Sequence, residues 1–163
     1  MSDHSDALAE VDRIVNRETD ADEVLRRTVE VLHDRFPHYS WIGIYLVEGG
    51  DLLLGPWKGP QATEHVRIPI GHGICGAAAA SGHTEIVDDV NADDRYLSCF
   101  ASTRSEIVVP IVYDGQVVGE IDIDSDRPAA FGEADRALLE RVALLISPHS
   151  LVGWDTGGVP WTA

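Results

Sequence analysis

The sequence predicts an α+β fold in which N- and C-terminal helices pack on one face of a central, mostly antiparallel sheet and a ligand pocket lies on the other. Three observations carry this prediction. Apolar residues recur at helical spacing near both ends of the chain, the middle alternates with period two, and Asp114-Gly115 joins two apolar runs as a two-residue turn. Helices first, then strands, then a closing helix is the order of an α+β domain rather than of repeated βαβ units.

Residues 5 to 17 and 20 to 36 read as two helices. In the second, Val24, Thr28, Val31, Leu32 and Phe36 recur behind the acidic start "DADE", and Pro37 follows the end. The period then changes. In "SWIGIYLVE", Trp41, Gly43, Tyr45 and Val47 point one way while Ile42, Ile44 and Leu46 point the other. "DLLLGPW" follows the turn "GG", and "HVRIPI" supplies a third strand. "GICGAAAAS" is a short helix of small residues opened by "GHG", after which "TEIVDDV" returns to strand. "SEIVVPIVY" and "QVVGEIDIDS" form a hairpin across Asp114-Gly115, a dipeptide that accepts the positive φ of a tight turn. A final amphipathic helix starts near Gly132, with Pro148 just beyond it. Residues 1–147 are expected to form a single domain and residues 148–163 an irregular C-terminal tail.

Composition narrows the partners. The net charge is −16, with 28 acidic against 12 basic residues, and Lys58 is the only lysine. Such a surface repels phosphate backbones and anionic headgroups, so neither nucleic acid nor a membrane is an expected partner. The opening "MSDHSDALAEVDR" has no basic start or continuous apolar stretch, and nowhere is there a run of about 18 apolar residues. With only two cysteines, the chain is expected in a reducing cytoplasm, where a cysteine pair is more often catalytic or redox-active than structural.

Strand faces locate a candidate site. Val117, Gly119, Ile121 and Ile123 share one face of the last strand, and Val118, Glu120, Asp122 and Asp124 share the other. Carboxylates ordinarily mark a face that meets water. Trp41 and Tyr45 on the first strand argue instead for an enclosed, half-polar environment, suited to a small cationic or zwitterionic ligand. Cys99 stands in the polar loop "YLSCFASTRSE", unlike a cysteine used for packing, which sits in an apolar run. Cys75 in "GICGAA" reads either as a small buried residue or as a second redox thiol. The seven histidines show no pair at metal spacing, and no metal is expected.

The segments "SWIGIYLVE", "LGPWKG", "VRIPIGHGICG", "SEIVVPIV" and "GEIDIDS", in this order, resemble the free methionine (R)-sulfoxide reductases, a branch of the GAF-domain superfamily, over residues 8 to 147. The resemblance implies a GAF-like fold and reduction of free L-methionine (R)-S-oxide to methionine. It makes Cys99 the nucleophile, brings Cys75 near the site with a possible part in disulfide chemistry, and makes Glu106, Asp122 and Asp124 the essential carboxylates. Trp41 and Tyr45 become the aromatic wall that binds substrate together with those carboxylates. It also implies a homodimer with no bound cofactor and a thioredoxin-like external reductant.

Two positions depart from the family pattern: His65 stands where a resolving cysteine is usual, and Phe100 where an aspartate commonly follows the nucleophile. A sulfoxide sulfur is electrophilic only when its oxygen is protonated or strongly hydrogen-bonded, so a thiolate must be matched by an acid, for which Asp122 or Asp124 is the candidate. Strict pairing outward from the Asp114-Gly115 turn sets Glu106 opposite Ile123, on the helix face, so a bulge at the start of that strand is expected to turn Glu106 toward the pocket. The competing class is a non-catalytic GAF sensor or interaction module with the same pocket. Loss of the usual resolving cysteine favours the sensor, and lack of a fused output domain favours the enzyme.

Overall fold

The computed structural model describes residues 2–98 and 100–151. Two helices, α1 (Asp3–Arg17) and α2 (Ala21–Arg35), open the chain, each with an N-cap side chain that accepts a backbone N–H: Ser2 from Ser5 and Asp20 from Asp22. Strands β1 (Trp41–Glu48), β2 (Asp51–Lys58) and β3 (Arg67–Pro69) precede helix α3 (Gly73–Ser81). Strands β4 (Glu85–Val87), β5 (Ser105–Tyr113) and β6 (Gln116–Ser125) follow, and α4 (Glu133–Ile146) closes the fold before a 3₁₀ turn over Ser147–His149. The strands form one sheet in the order β3-β2-β1-β6-β5-β4, with every neighbouring pair antiparallel. The expected α+β sheet with helices on one face is therefore what the chain forms.

Two cores flank the sheet. On one face Ile42, Ile44, Ile107, Val109, Ile121 and Ile123 pack against Val11, Leu25, Leu32, Leu139 and Val142 of α1, α2 and α4. A buried polar knot ties this layer together. Tyr39 donates to Asp135 Oδ1 at 2.6 Å, the Gly132 N–H donates to Oδ2 at 3.0 Å, and His4 and His38 approach Oδ1 at 3.2 and 3.3 Å. Burial opposes ionisation of Asp135, but these hydrogen bonds outweigh it and hold its carboxyl below the ordinary value.

On the other face α3 covers Trp41, Tyr45, Leu52 and Val108. It comes close because its residues are small. A Cβ on Gly76 would lie 2.8 Å from the Pro69 carbonyl oxygen, so the helix rests directly on the chain that precedes it.

The hairpin departs from the sequence reading in one respect. Tyr113 pairs with Gln116 and Val112 with Val117, but Ile111 pairs with Gly119, leaving Val118 as a bulge residue. Val118 then joins the helix-face core and Val117 the α3 face, the reverse of their expected sides. The irregularity predicted at Glu106 lies instead next to the turn. Beyond the bulge the register is shifted by one, so Glu106 pairs with Asp124 rather than Ile123 and faces α3.

Gly119 makes this register possible. A Cβ there would fall 2.4 Å from the Tyr45 backbone carbonyl oxygen, which cannot move without disturbing the β1–β6 ladder. Gly119→Ala is expected to lower stability to chemical denaturation by about 1–3 kcal/mol. Gly50→Ala, where a Cβ meets nothing within 4 Å, should be near neutral.

Candidate active site

Alternation along β6 sends Glu120, Asp122 and Asp124 to the α3 face, and the shifted register adds Glu106 of β5 to the same face. All four are buried, with exposures of 0%, 3%, 2% and 4% in that order. Helix α3 lowers Cys75 onto them, placing its Sγ 4.0 Å from Glu106 Oε2. A donor atom from each of Cys75, Glu106 and Asp122 lies within 4.8 Å of the other two.

These three side chains line a small pocket with Tyr45, Ile68, Ile74 and Leu97. The Tyr45 hydroxyl donates to the His65 carbonyl at 2.7 Å, and the His65 N–H donates to Thr63 Oγ1 at 3.1 Å. The His65 ring, fixed by both, reaches the Ser98 carbonyl with Nε2 at 3.2 Å. Leu97 crowds the start of α3 so closely that a Cβ on Gly73 would meet it at 2.8 Å. The loop before β5 is thereby folded back over the "GICG" turn.

Of the residues singled out in the sequence, Cys75, Glu106, Asp122 and Tyr45 meet at the cavity. Asp124 sits beside it, where Oδ2 accepts from Thr103 Oγ1 at 3.4 Å. Trp41 acts as a buttress: its ring stacks on Trp57 at 6.2 Å and meets Phe100 at 5.8 Å. Phe100, which departs from the family pattern, is thus a packing residue. Cys99 lies outside the described residues, as does the tail from residue 152 onward, so the nucleophile and its pairing with Cys75 have no geometry here. Glu120 was on the expected polar face but had been given no role. His65, known from the sequence only as a missing cysteine, is a strut of the cavity.

The electrostatics follow from burial. Among the described residues, no lysine or arginine forms an ion pair with any of the four carboxyls. Both Glu120 oxygens and one oxygen each of Asp122 and Asp124 lack a hydrogen-bond partner among the described residues. Burial, then the charges of Asp122 and Asp124, pushes Glu106 well up. Burial raises Glu120 and Asp124 too, each with a further push from Asp122. Asp122 is also raised by burial, though Glu106, Cys75 and the charge of His65 partly offset this. Burial, then Asp122, Glu120, Glu106 and Asp124, drives the Cys75 thiol up, so Cys75 rests as a neutral thiol.

A carboxyl raised in the folded state binds more protons there than in the unfolded chain at any pH between the two pKa values. Stability falls as pH climbs from about 4, the unfolded value, toward the folded one. Asp135, held below its ordinary value, acts in the opposite sense and only near or below pH ~4. The melting temperature is therefore expected to drop between pH 5.5 and 8, and Glu120→Gln, which removes one buried charge, should flatten that slope. A slope unchanged in Glu120→Gln would remove Glu120 from the balance.

Comparison with known proteins agrees with this architecture. The GAF domain family model matches residues 20–148. Protein YtsP of Bacillus subtilis (strain 168) is 38% identical over 143 residues, 86% of each chain. The free methionine-R-sulfoxide reductase of Escherichia coli (strain K12) is 34% identical over 139 residues, covering 85% of this chain and 83% of that one. The structure of free methionine-R-sulfoxide reductase from Neisseria meningitidis in complex with its substrate matches with a TM-score of 0.84 at 38% identity, over 90% of this chain and 87% of that chain. With the family model spanning most of the sequence and a reductase similar over nearly its whole length, the chain belongs to the GAF-domain family and, within it, to the free methionine-R-sulfoxide reductases.

Proposed function

We propose that this protein reduces free methionine (R)-sulfoxide to methionine. The observation that carries the reading is the cavity in which Cys75, Glu106 and Asp122 meet under Tyr45, on a sheet face whose carboxyls have no lysine or arginine partner among the described residues. A free amino acid brings an ammonium group, which the Asp122 oxygen that lacks a partner among the described residues would accept. A methionine sulfoxide inside a polypeptide has no such group, and its flanking chain would not fit an enclosed pocket.

Cys99 is the nucleophile in this reading, carried over from the family resemblance. Its thiolate attacks the sulfoxide sulfur while a protonated carboxyl gives its proton to the oxygen. The attack forms a transient bond between the two sulfurs. The S–O bond breaks, the hydroxyl passes to the Cys99 sulfur, and the S–S bond cleaves with its electron pair returning to the methionine sulfur, so methionine leaves and Cys99 is left as a sulfenic acid. Glu106 and Asp122 are better placed to supply that proton than Asp124, because they line the cavity and burial keeps protons on the pair. Asp124 supports them from behind, engaged with Thr103. Cys75 then attacks the sulfenic sulfur, its thiol proton passing by way of a neighbouring carboxylate to the departing hydroxide. A disulfide and water result. A thioredoxin-like dithiol returns both cysteines to thiols and becomes oxidised itself. No bound cofactor enters the scheme. A homodimer in a reducing cytoplasm is the setting this reading assumes.

The test is a thioredoxin-coupled NADPH assay on separate R and S epimers of free methionine sulfoxide. Turnover is expected with R alone and should vanish in Cys99→Ser. Asp122→Asn and Glu106→Gln should each cut the rate roughly 10²- to 10⁴-fold, and Asp124→Asn less. Cys75→Ser should release one methionine per chain and then stall with thioredoxin, while dithiothreitol restores cycling. Binding of free methionine sulfoxide without reduction of either epimer would make the protein a sensor.

A further inference from the structure

The cavity brings a thiol and two carboxyls together within ligating distance, more donor groups than one substrate ammonium can engage. Cys75, Glu106 and Asp122 line it, and the Asp122 Oδ1 atom, on a residue that is 3% exposed, has no hydrogen-bond partner among the described residues. We propose that the same cavity is a binding site for a thiophilic divalent metal ion of the zinc class, held by Cys75 Sγ, Glu106 and Asp122, and that metal and substrate exclude one another.

The donor set and its spacing support this. Tetrahedral zinc with a sulfur at about 2.3 Å and carboxylate oxygens at about 2.0–2.2 Å needs donor atoms some 3.5 Å apart. The three donors already lie within 4.8 Å of one another, with the Sγ–Oε2 edge at 4.0 Å, so side-chain adjustment alone closes the shell. A fourth position remains for water. Calcium and magnesium want six or more oxygens and avoid thiolate, so the site discriminates against them. The ligands come from α3, β5 and β6, which is why a search for local histidine pairs passes over them.

Binding displaces the thiol proton and any carboxyl proton, with no electron transfer. It also occupies Glu106 and Asp122, which the proposed function assigns to the substrate, and takes Cys75 out of disulfide chemistry. In this respect the inference rests on that function; the binding event does not. Metal occupancy is thus an off state of the site.

The experiment titrates zinc chloride into the reduced, metal-free full chain against a chromophoric chelator. One ion per chain with micromolar or tighter affinity is expected, and free methionine should weaken it competitively. Magnesium should give no signal. Cys75→Ser and Asp122→Asn, each checked for native melting, should weaken zinc at least about tenfold. Absence of saturable binding overturns the proposal. So do wild-type affinity in both ligand variants and indifference to methionine. The reductase assay run in chelator tests the catalytic reading separately, so either can fail alone.

Discussion

Four carboxyl groups and a thiol are enclosed between the sheet and α3 with no lysine or arginine paired to them among the described residues, and the rest of the structure is arranged around that unfavourable fact. An unpaired charge in such a place is costly, so the groups keep protons that exposed carboxyls would lose. The retained protons are what sulfoxide reduction needs. In the proposed function the same enclosure that burdens the fold supplies an acid at neutral pH, and an incoming ammonium group would relieve part of the burden.

The opposite face of the sheet offsets this cost. Isoleucines from β1, β5 and β6 alternate with the site residues and pack on three helices, so each strand has one face for the core and one for the pocket. Tyr39, Gly132, His4 and His38 hold Asp135 ionised within that layer, a carboxyl whose hydrogen bonds are satisfied where those of Glu120 are not. The contrast separates a structural carboxylate from the groups of a working site.

Most of this architecture is legible in the sequence, because alternation and turn chemistry are local. The Asp114-Gly115 turn, the face of Asp122 and Asp124, and the enclosure signalled by Trp41 and Tyr45 all follow from neighbouring residues. The side on which Glu106 lies did not. It depends on Val118, an extra residue in one strand, and nothing in "QVVGEI" reveals which valine stands outside the ladder. The roles of Glu120 and His65 were hidden for another reason: each is defined by three-dimensional neighbours from distant elements. A missing cysteine at position 65 could be read from the family pattern, but not that the replacement braces Ser98 and Tyr45.

The central claim is that buried carboxyls beside Cys75 stay protonated at neutral pH. Infrared difference spectroscopy of the substrate-free protein, comparing wild type with Glu106→Gln and Asp122→Asn at neutral pH, tests it directly. The account predicts a protonated carboxylic acid C=O band in the wild type that weakens in these variants and shifts when methionine binds. A spectrum with carboxylate bands alone, identical in wild type and variants above 1700 cm⁻¹ (roughly the onset of the acid C=O region), would contradict it.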